Sequence, residues 1–300
     1  TGLSSARPTL RYVVIQRNPK AGARTRRWEL LELVRELKSH GYQPRMFRNR
    51  DRLAAWMSDP AHRLRLHCLI AAGGDGTVCD LLTRYPGVPL TVLPLGTENL
   101  LAKFFRLPRS GRRLAAIIHA GHTRVLDVGC AGSKRFVICA GIGLDASIIH
   151  DVHSARRGHI TKLHYLGPIW RCLCRRDWPT LTLHDPVGNT HRATHILLSN
   201  LPTYAVGLRW AKTAVGDDGL LDFRLFQRGT LWNRLLDLWA AWWGTVERRR
   251  AVVCLQLSGA TITCDEPIPV HLDGDPAGTT PVEISLLPRA LTLFVPDRTD

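Results

Sequence analysis

The N-terminal part of the chain alternates between short apolar runs and segments with helical periodicity. Apolar runs of strand length occupy residues 10–16, 66–72 and 90–94, and they predict buried strands. Residues 24–40 carry apolar side chains at helical spacing, and Gly41 predicts the end of that helix. The remaining elements are a strand at 43–47 and helices at 52–57, 78–84 and 111–120. Strands that alternate with helices in this order predict a Rossmann-like parallel sheet with helices on both faces.

The pattern changes near residue 127, beyond which short apolar runs are separated by Gly, Pro and Asp. The runs lie at 136–140, 181–184, 195–200, 221–226, 252–257, 261–264, 270–272, 282–286 and 291–295. Runs of this length and spacing predict an all-β antiparallel sandwich. We therefore expect an α/β N-terminal domain at residues 8–126 and an all-β C-terminal domain at residues 127–298.

Two helical segments interrupt the predicted β domain, at residues 160–174 and 231–250. The second carries the tryptophans Trp232, Trp239, Trp242 and Trp243 and ends in three arginines, residues 248–250. We predict that its tryptophan stripe packs on the sandwich, as the apolar face of a surface helix does. The alternative is contact with a bilayer, because aromatic residues beside arginines suit the headgroup region.

Composition and charge narrow the class of protein. The chain has 300 residues, of which 45% are hydrophobic and 22% charged, values typical of a globular protein with two domains. The net charge of +16 predicts an anionic partner such as ATP, nucleic acid or an anionic membrane face. The basic residues are scattered in short clusters, without a long aromatic-interleaved basic strand. Together with the family resemblance given below, this favours a membrane surface over nucleic acid. Eight cysteines without a CxxC pair predict reduced thiols.

No apolar run is long enough to span a bilayer, and the N-terminus has no signal-peptide pattern. We therefore expect a cytoplasmic protein, and the family resemblance given below implies that it binds peripherally at the inner membrane face. The sequence leaves the oligomeric state open, with a homodimer among the options.

Two glycine turns follow predicted strands and point to phosphate binding. Gly73, Gly74 and Gly76 follow the run at 66–72, and Gly96 follows the run at 90–94. Glycine lets the backbone turn sharply and approach a ligand closely, and the helix that starts after each turn directs amide groups at an anion. The sequence therefore predicts a phosphate cradle built by two neighbouring turns.

These turns are part of a larger resemblance. The segments GGDGT at 73–77 and PLGTEN at 94–99 resemble the diacylglycerol kinase catalytic-domain family, which includes bacterial lipid kinases and sphingosine kinases, with the NAD kinases as distant relatives. Further elements follow the same order: NPKAG at 18–22, GIGLDA at 141–146, DDGLLD at 217–222 and LDGDP at 272–276. The resemblance implies the same two-domain layout, with a last strand that can return to the first domain.

The resemblance implies an ATP-dependent lipid kinase that uses Mg²⁺ to phosphorylate a hydroxyl of diacylglycerol or a related amphiphile. The nucleotide-binding residues that it implies are Asn18, Pro19, Lys20, Ala21, Gly22, Gly73, Gly74, Asp75, Gly76, Thr77, Gly96, Thr97 and Asn99. A sphingoid-base or other lipid kinase, an NAD kinase-like enzyme and a non-catalytic nucleotide- or lipid-binding module remain as alternatives.

The same resemblance gives roles to several acids. Asp75 lies between glycines beside the predicted anion site, where Mg²⁺ would have to bridge it to phosphate, so a metal ligand is one role; the resemblance implies instead that it is the base or orients the substrate. Asp273 and Asp275 are implied as the alternative source of the base, with Asp275 replacing the glutamate usual in the family. Asp145 is implied to orient the acceptor hydroxyl. The carboxylate of Asp218 and the backbone carbonyls of Val215 and Leu220 are implied as a structural Mg²⁺ loop. Leu100 stands where bacterial members commonly have an aspartate.

Overall fold

The structure is a computed structural model that describes residues 11–19, 27–154, 166–175 and 178–297. The chain divides into two compact units. One unit ends at Arg124 and resumes at Leu291, and the other spans Val125–Ala290. The sequence places the first boundary between residues 126 and 127, and the observed step falls between Arg124 and Val125.

The first unit is a parallel sheet whose strands alternate with helices. Its elements are β1 (Tyr12–Arg17), α1 (Arg27–Ser39), β2 (Gln43–Phe47), α2 (Arg50–Met57), α3 (Pro60–Leu64), β3 (Leu66–Gly73), α4 (Asp75–Arg84), β4 (Leu90–Pro94), α5 (Leu100–Phe104) and α6 (Gly111–Ala120). β1 pairs in parallel with β2 and β3, and β3 pairs in parallel with β4. The predicted Rossmann-like parallel sheet is confirmed.

Helices α1 and α6 cover the core of this sheet at close range. The buried face of α1 is formed by Leu30, Leu33 and Leu37. A Cβ added to Gly111 at the start of α6 would lie 2.0 Å from the Glu29 carbonyl oxygen, so glycine permits the contact. The sequence also predicted Trp28 within the apolar stripe, but Trp28 is 78% exposed, since it lies half a turn from the leucine face.

The second unit consists of two antiparallel sheets that share one core. Its elements are β5 (Thr123–Ala131), β6 (Lys134–Phe136), β7 (Cys139–Ile142), α7 (Leu144–Ser154), α8 (Leu166–Cys174), β8 (Leu181–His184), β9 (Thr190–Ala193), β10 (His195–Ser199), β11 (Leu221–Phe226), α9 (Leu231–Trp243), β12 (Val252–Leu257), β13 (Gly259–Thr263), β14 (Pro269–Leu272), β15 (Asp275–Thr279) and β16 (Val282–Phe294). One sheet has the order β12-β11-β10-β7-β14-β15, and in the other β13 lies between β8 and β16. Phe136, Leu183, Ile196, Phe223 and Ile284 pack together between them. The predicted antiparallel sandwich is confirmed.

The end of β16 belongs to the first unit. Leu293 pairs in parallel with Leu90 of β4, and the Thr91 hydroxyl donates a hydrogen bond of 3.2 Å to the Phe294 carbonyl. The runs predicted as separate strands at 282–286 and 291–295 therefore form one strand of 13 residues.

Several predicted element bounds were wrong for identifiable reasons. The run at 136–140 is divided between β6 and β7, because the amides of residues 137 and 138 bind a side chain instead of a neighbouring strand. The short strands β9 and β15 were missed, since each is rich in polar or exposed residues and lacks an apolar alternation. Helix α3 was missed because it has only 5 residues, although Asp59 caps it and Pro60 begins it.

The two helical insertions also differ from expectation. Residues 160–165 of the first lie outside the described residues. The second ends at Trp243, where Gly244 adopts a left-handed conformation with φ 66°, rather than at residue 250. The predicted packing of its tryptophans is wrong, because Trp232, Trp239, Trp242 and Trp243 are all exposed. Among the described residues, no helix combines the length and apolar character required to cross a bilayer.

Candidate active site

In the first unit, the two predicted glycine turns lie directly against each other. The amides of Leu95 and Gly96 both donate to the Gly73 carbonyl oxygen, at 2.9 and 3.1 Å. A Cβ on Gly96 would lie only 2.6 Å from the Cα of Gly74, so a side chain at position 96 would push the turns apart. The glycines therefore hold the starts of α4 and α5 together at the carboxyl ends of β3 and β4.

The side chain of Asn99 fixes the second turn. Its Oδ1 accepts a hydrogen bond of 2.9 Å from the Gly96 amide, and its Nδ2 donates one of 2.7 Å to the Gly96 carbonyl. Asn99 itself has φ 51°, a left-handed conformation that asparagine tolerates better than most residues. Both ends of the side-chain amide are thus used inside the turn. Thr97 lies exposed at its tip.

Asp75 joins the first turn to the second. Its Oδ2 accepts a hydrogen bond of 2.9 Å from the Leu100 amide, and its Oδ1 accepts one of 3.2 Å from the Leu101 amide. The first amides of a helix have no partner within the helix, and the side chain of Asn99 does not cap α5. Asp75, predicted from sequence as a metal ligand or base, therefore occupies the capping position of α5.

The N-terminus of α4 lacks the side-chain cap that α2, α3, α6 and α9 have. Side chains of Asn49, Asp59, Ser110 and Thr230 cap α2, α3, α6 and α9, respectively. Residue 74 before α4 is glycine and provides no side-chain cap. Amide groups at such a helix start fit an anion, because the helix dipole and the N–H donors both favour negative charge.

Two further predicted nucleotide-binding residues lie beside this helix start. Asn18 Nδ2 lies 3.4 Å from Thr77 Oγ1 and donates to it. The Thr77 hydroxyl packs against Gly73, where a Cβ would lie 2.2 Å from Oγ1. Pro19 is exposed next to Asn18. Lys20, Ala21 and Gly22 lie outside the described residues.

In the second unit, the two acids of the LDGDP segment have different environments. Asp273 is buried, with φ 47°, and its carboxylate accepts hydrogen bonds from the amides of Val137, Ile138 and Cys139 at 2.8, 2.9 and 2.8 Å. Asp275 has a side chain that is 55% exposed, and its Oδ1 lies 3.9 Å from His153 Nε2. Asp273 therefore organises the β6–β7 connection, whereas Asp275 presents a carboxylate at the surface.

Asp145 forms a buried acid–histidine pair at the start of α7. His271 Nε2 lies 2.8 Å from Asp145 Oδ2, and the Tyr204 hydroxyl donates to the same oxygen at 3.3 Å. The Gly274 amide donates to His271 Nδ1 at 3.4 Å, so the proton of a neutral ring is on Nε2 and points at Asp145. Burial favours a higher pKa for Asp145, but the charge and hydrogen bond of His271 outweigh it and hold the pKa below its usual value.

Gly141 makes this pair possible. It lies opposite His271 in the pairing of β7 with β14. A Cβ at Gly141 would lie 2.0 Å from Asp145 Oδ2 and 2.5 Å from His271 Nε2. The GIGLDA segment thus supplies both the acid and the space that it occupies.

His195 lies in the same region and stacks on Phe226, with ring centroids 4.1 Å apart. Burial lowers its pKa to about 4, with Asp145 acting to raise the value and Arg234 to lower it. The ring is therefore neutral at neutral pH, although it contributes to the environment of Asp145.

The predicted Mg²⁺ loop is anchored by a buried acid. Asp127 accepts hydrogen bonds of 2.7 Å from the amides of Gly219 and Arg289. Asp218 is exposed, and its Oδ1 accepts a hydrogen bond of 3.0 Å from the Leu220 amide. The predicted ligand set of one carboxylate and the carbonyls of Val215 and Leu220 fits a hard cation that retains water molecules. In the described residues, no group of three or more His, Cys, Asp or Glu side chains forms a metal site.

Sequence reasoning did not identify His271, Tyr204, His195 or Asp127. His271 lies two residues before Asp273, but its contact with Asp145 depends on the register of two strands far apart in sequence. Asp127 could have been noticed as an acid inside a β-strand, an unfavourable place that indicates a specific partner. Tyr204 and His195 carry no local signal in the sequence.

The capping role of Asp75 can be separated from a catalytic role. We expect Asp75→Ala to lower the free energy of unfolding by about 2–4 kcal/mol, because two amides at the start of α5 lose a charged acceptor. Asp75→Asn keeps one carbonyl acceptor and should be less destabilising. Urea denaturation of both variants measures the difference. Equal stability of Asp75→Ala and the parent chain would contradict the capping role.

His195 provides a pH dependence of stability. Its pKa of about 4 in the folded state lies below the ordinary histidine value of 6.5, so unfolding takes up a proton at pH values between these two. Stability is expected to decrease as pH falls from about 6.5 to 4, by up to roughly 3 kcal/mol from this group. The variant His195→Phe should show a flatter profile over that interval in denaturation experiments. A profile as steep as that of the parent chain would exclude His195 as the source.

Comparison with known proteins identifies the two units. The model of the diacylglycerol kinase catalytic domain matches residues 11–131, and the YegS C-terminal NAD kinase beta sandwich-like domain matches residues 139–295. A diacylglycerol kinase of Mycobacterium tuberculosis is 29% identical over 243 residues, which cover 76% of each chain. An uncharacterized protein of Synechocystis sp. is 26% identical over 239 residues, 76% of this chain but only 54% of that protein.

A solved structure has the same fold along nearly the whole length. The crystal structure of a diacylglycerol kinase from Bacillus anthracis superposes with a TM-score of 0.75 at 20% sequence identity, and the match covers 97% of this chain and 98% of that chain. The domain matches and the fold agree with the motifs in both units. The chain therefore belongs to the diacylglycerol kinase family whose members combine a diacylglycerol kinase catalytic domain with an NAD kinase-like β-sandwich domain.

Proposed function

We propose that the chain is an ATP-dependent lipid kinase that transfers the γ-phosphate, with Mg²⁺, to a hydroxyl of diacylglycerol or a related amphiphile. The observation that carries this proposal is the pair of interlocked glycine turns beside the α4 start, which lacks a side-chain cap. Phosphoryl transfer depends mainly on positioning and on stabilising phosphate charge, and rigid backbone amides supply both. Relatives named diacylglycerol kinase support the choice of acceptor.

The residues of the first unit bind the phosphate groups of ATP. Amides at the start of α4 and the Thr97 amide face the triphosphate, while Asn18 and Thr77 support the first turn. Asp75 keeps the α5 start in place through the Leu100 and Leu101 amides. In this assignment Asp75 shapes the phosphate-binding turns, and a different carboxylate accepts the proton of the acceptor hydroxyl.

The acids of the second unit divide the remaining tasks. Asp275 is assigned as the base, because Asp273 would have to release three backbone amides before it could accept a proton. The acceptor hydroxyl gives its proton to Asp275 as its oxygen bonds to the γ-phosphorus and ADP leaves. Asp145, ionised and held by His271 and Tyr204, accepts a hydrogen bond from a neighbouring polar group of the lipid and orients it.

Mg²⁺ supplies charge neutralisation for the phosphate groups when it is bound. The loop of Asp218, Val215 and Leu220 is proposed to hold a separate cation with a structural role, since its donors are one carboxylate and backbone carbonyls. Asp127 fixes this loop through the Gly219 amide.

The proposal is tested with the purified chain, radiolabelled ATP, Mg²⁺ and mixed micelles that contain a diacylglycerol. Labelled phosphatidic acid on a thin-layer plate is expected, and EDTA should abolish it. Sphingosine and a polyprenol, supplied in parallel micelles, test the alternative acceptors. ATP binding without any labelled lipid would contradict kinase activity, and labelled NADP after addition of NAD would support an NAD kinase.

The two acids of the LDGDP segment provide a matched pair of variants. Asp275→Ala is expected to lower kcat by about 10²–10⁴-fold, because it removes the base. Its free energy of unfolding should change by less than about 0.5 kcal/mol, since the side chain is exposed. Urea denaturation and initial-rate measurements on the same preparations check both quantities.

Asp273→Ala is expected to behave in the opposite way. It leaves the buried amides of Val137, Ile138 and Cys139 without their acceptor and should cost about 3–5 kcal/mol of stability. Wild-type turnover by Asp275→Ala, together with normal stability of Asp273→Ala, would reverse the two assignments.

A further inference from the structure

Helix α9 is oriented with its apolar side outward. Its exposed residues are Leu231, Trp232, Leu235, Trp239, Trp242 and Trp243, and the tryptophans are 60–69% exposed. Its buried residues are Arg234, Asp237, Ala240 and Ala241. A surface helix of a water-soluble domain normally buries its apolar stripe and exposes its charges. The reversed orientation indicates that the outer face of α9 has an apolar or interfacial neighbour.

Polar contacts fix this orientation. Arg234 Nη1 donates to the carbonyls of Cys172, Leu173 and Arg175 at 3.1, 2.7 and 2.7 Å, and so caps the C-terminal end of α8. On the same inner face, Arg249 Nε donates to Asp237 Oδ1 at 2.9 Å. Rolling the helix to bury its tryptophans would break both sets of contacts and leave buried charges without partners.

The exposed aromatic surface of α9 is large. Trp170 of α8, which packs beside α9, is also exposed. A tryptophan side chain covers about 150–250 Å², so the four of α9 expose roughly 400–600 Å². That value is at the upper end of the largest patches on ordinary monomers, which are about 300–600 Å² and often functional.

Basic side chains surround the C-terminal end of α9. Arg248 and Arg250 are exposed just beyond it, and the stems of Arg209 and Lys212 lie near Gly244 and are exposed too. Arg248 and Arg249 also line a groove of about 290 Å³ together with Leu236 and Trp239. The nearby acid Glu247 accepts a hydrogen bond of 3.0 Å from Arg224 Nη2. The rim of the aromatic face is therefore positively charged, and its groove is apolar on one side.

We infer that the outer face of α9 is a membrane-docking surface that binds the interfacial region of a bilayer containing anionic lipids. The indole rings lie at the level of the headgroups, where tryptophan is favoured, and the basic rim faces lipid phosphates. A second copy of the chain is a poorer occupant, because a symmetric pair would bring two basic rims to one interface. This inference deepens the proposed function and rests on it, because the proposed lipid acceptor lies in a bilayer.

The test measures vesicle binding without ATP. Cosedimentation with phosphatidylcholine vesicles that contain an equal part of phosphatidylglycerol is compared for the parent chain and Trp242→Ala/Trp243→Ala. The affinity of the double variant for these vesicles should be lower by about tenfold or more. Trp28→Ala removes an even more exposed tryptophan from α1 and is the matched control, expected to bind like the parent chain. Circular dichroism verifies that each variant is folded.

A charge variant tests the rim separately. Arg248→Gln/Arg250→Gln should weaken binding to the anionic vesicles on the order of tenfold at low salt and change binding to pure phosphatidylcholine little. Brominated lipids should quench the tryptophan fluorescence of the parent chain more than that of Trp242→Ala/Trp243→Ala. Equal quenching and equal cosedimentation in these two proteins would overturn the inference.

Two further outcomes are distinguishable. In the first, sedimentation velocity shows that the parent chain is a dimer and that Trp242→Ala/Trp243→Ala is a monomer, and the parent chain does not bind vesicles. This result would make the face a protein interface and overturn the inference. Phosphorylation of a short-chain, water-dispersed diacylglycerol is measured in parallel. If that activity is absent while vesicle binding requires the tryptophans, the proposed function fails and the docking surface stands.

Discussion

Hydrogen bonds from backbone amides to buried or half-buried carboxylates shape irregular segments in both units. Asp75 binds two amides at the start of α5, Asp273 binds three between β6 and β7, and Asp127 binds the amide of Gly219 in a loop and that of Arg289 within β16. Turns that leave a strand have amides without partners in the sheet, and an ionised acceptor satisfies several of them at once. The irregular segments of both units depend on these acids for their shape.

This dependence changes the roles that can be assigned to the acids of the motifs. An aspartate between glycines looks like a metal ligand or a base when only the sequence is known. In the structure, the oxygens of Asp75 and Asp273 accept hydrogen bonds from the backbone, Asp145 is held by the side chains of His271 and Tyr204, and Asp275 has an exposed carboxylate. The same geometry bears on Leu100: its amide is bound to Asp75, and its side chain is buried.

The fold could be predicted largely from sequence, and the site only in part. The strands before the glycine turns were correct because long apolar runs and glycine breaks are local signals. The polar strands β9 and β15 have no such signal, and the pairing of Gly141 with His271 is a matter of register that no local pattern encodes. For α9 the periodicity identified the apolar stripe but not its direction. Arg234 decides that direction through the α8 carbonyls, a contact between segments far apart in sequence.

The path of β16 has a consequence for how the chain is made. The chain leaves the first unit at Arg124 and contributes its next residues to that unit only at Leu291, where the end of β16 reaches β4. A nascent chain therefore presents β4 as an open sheet edge while the whole second unit is translated, on the order of ten to thirty seconds at typical ribosome speeds. An unpaired edge can pair with other chains. The unit that is translated first is therefore the last to have its sheet edge covered.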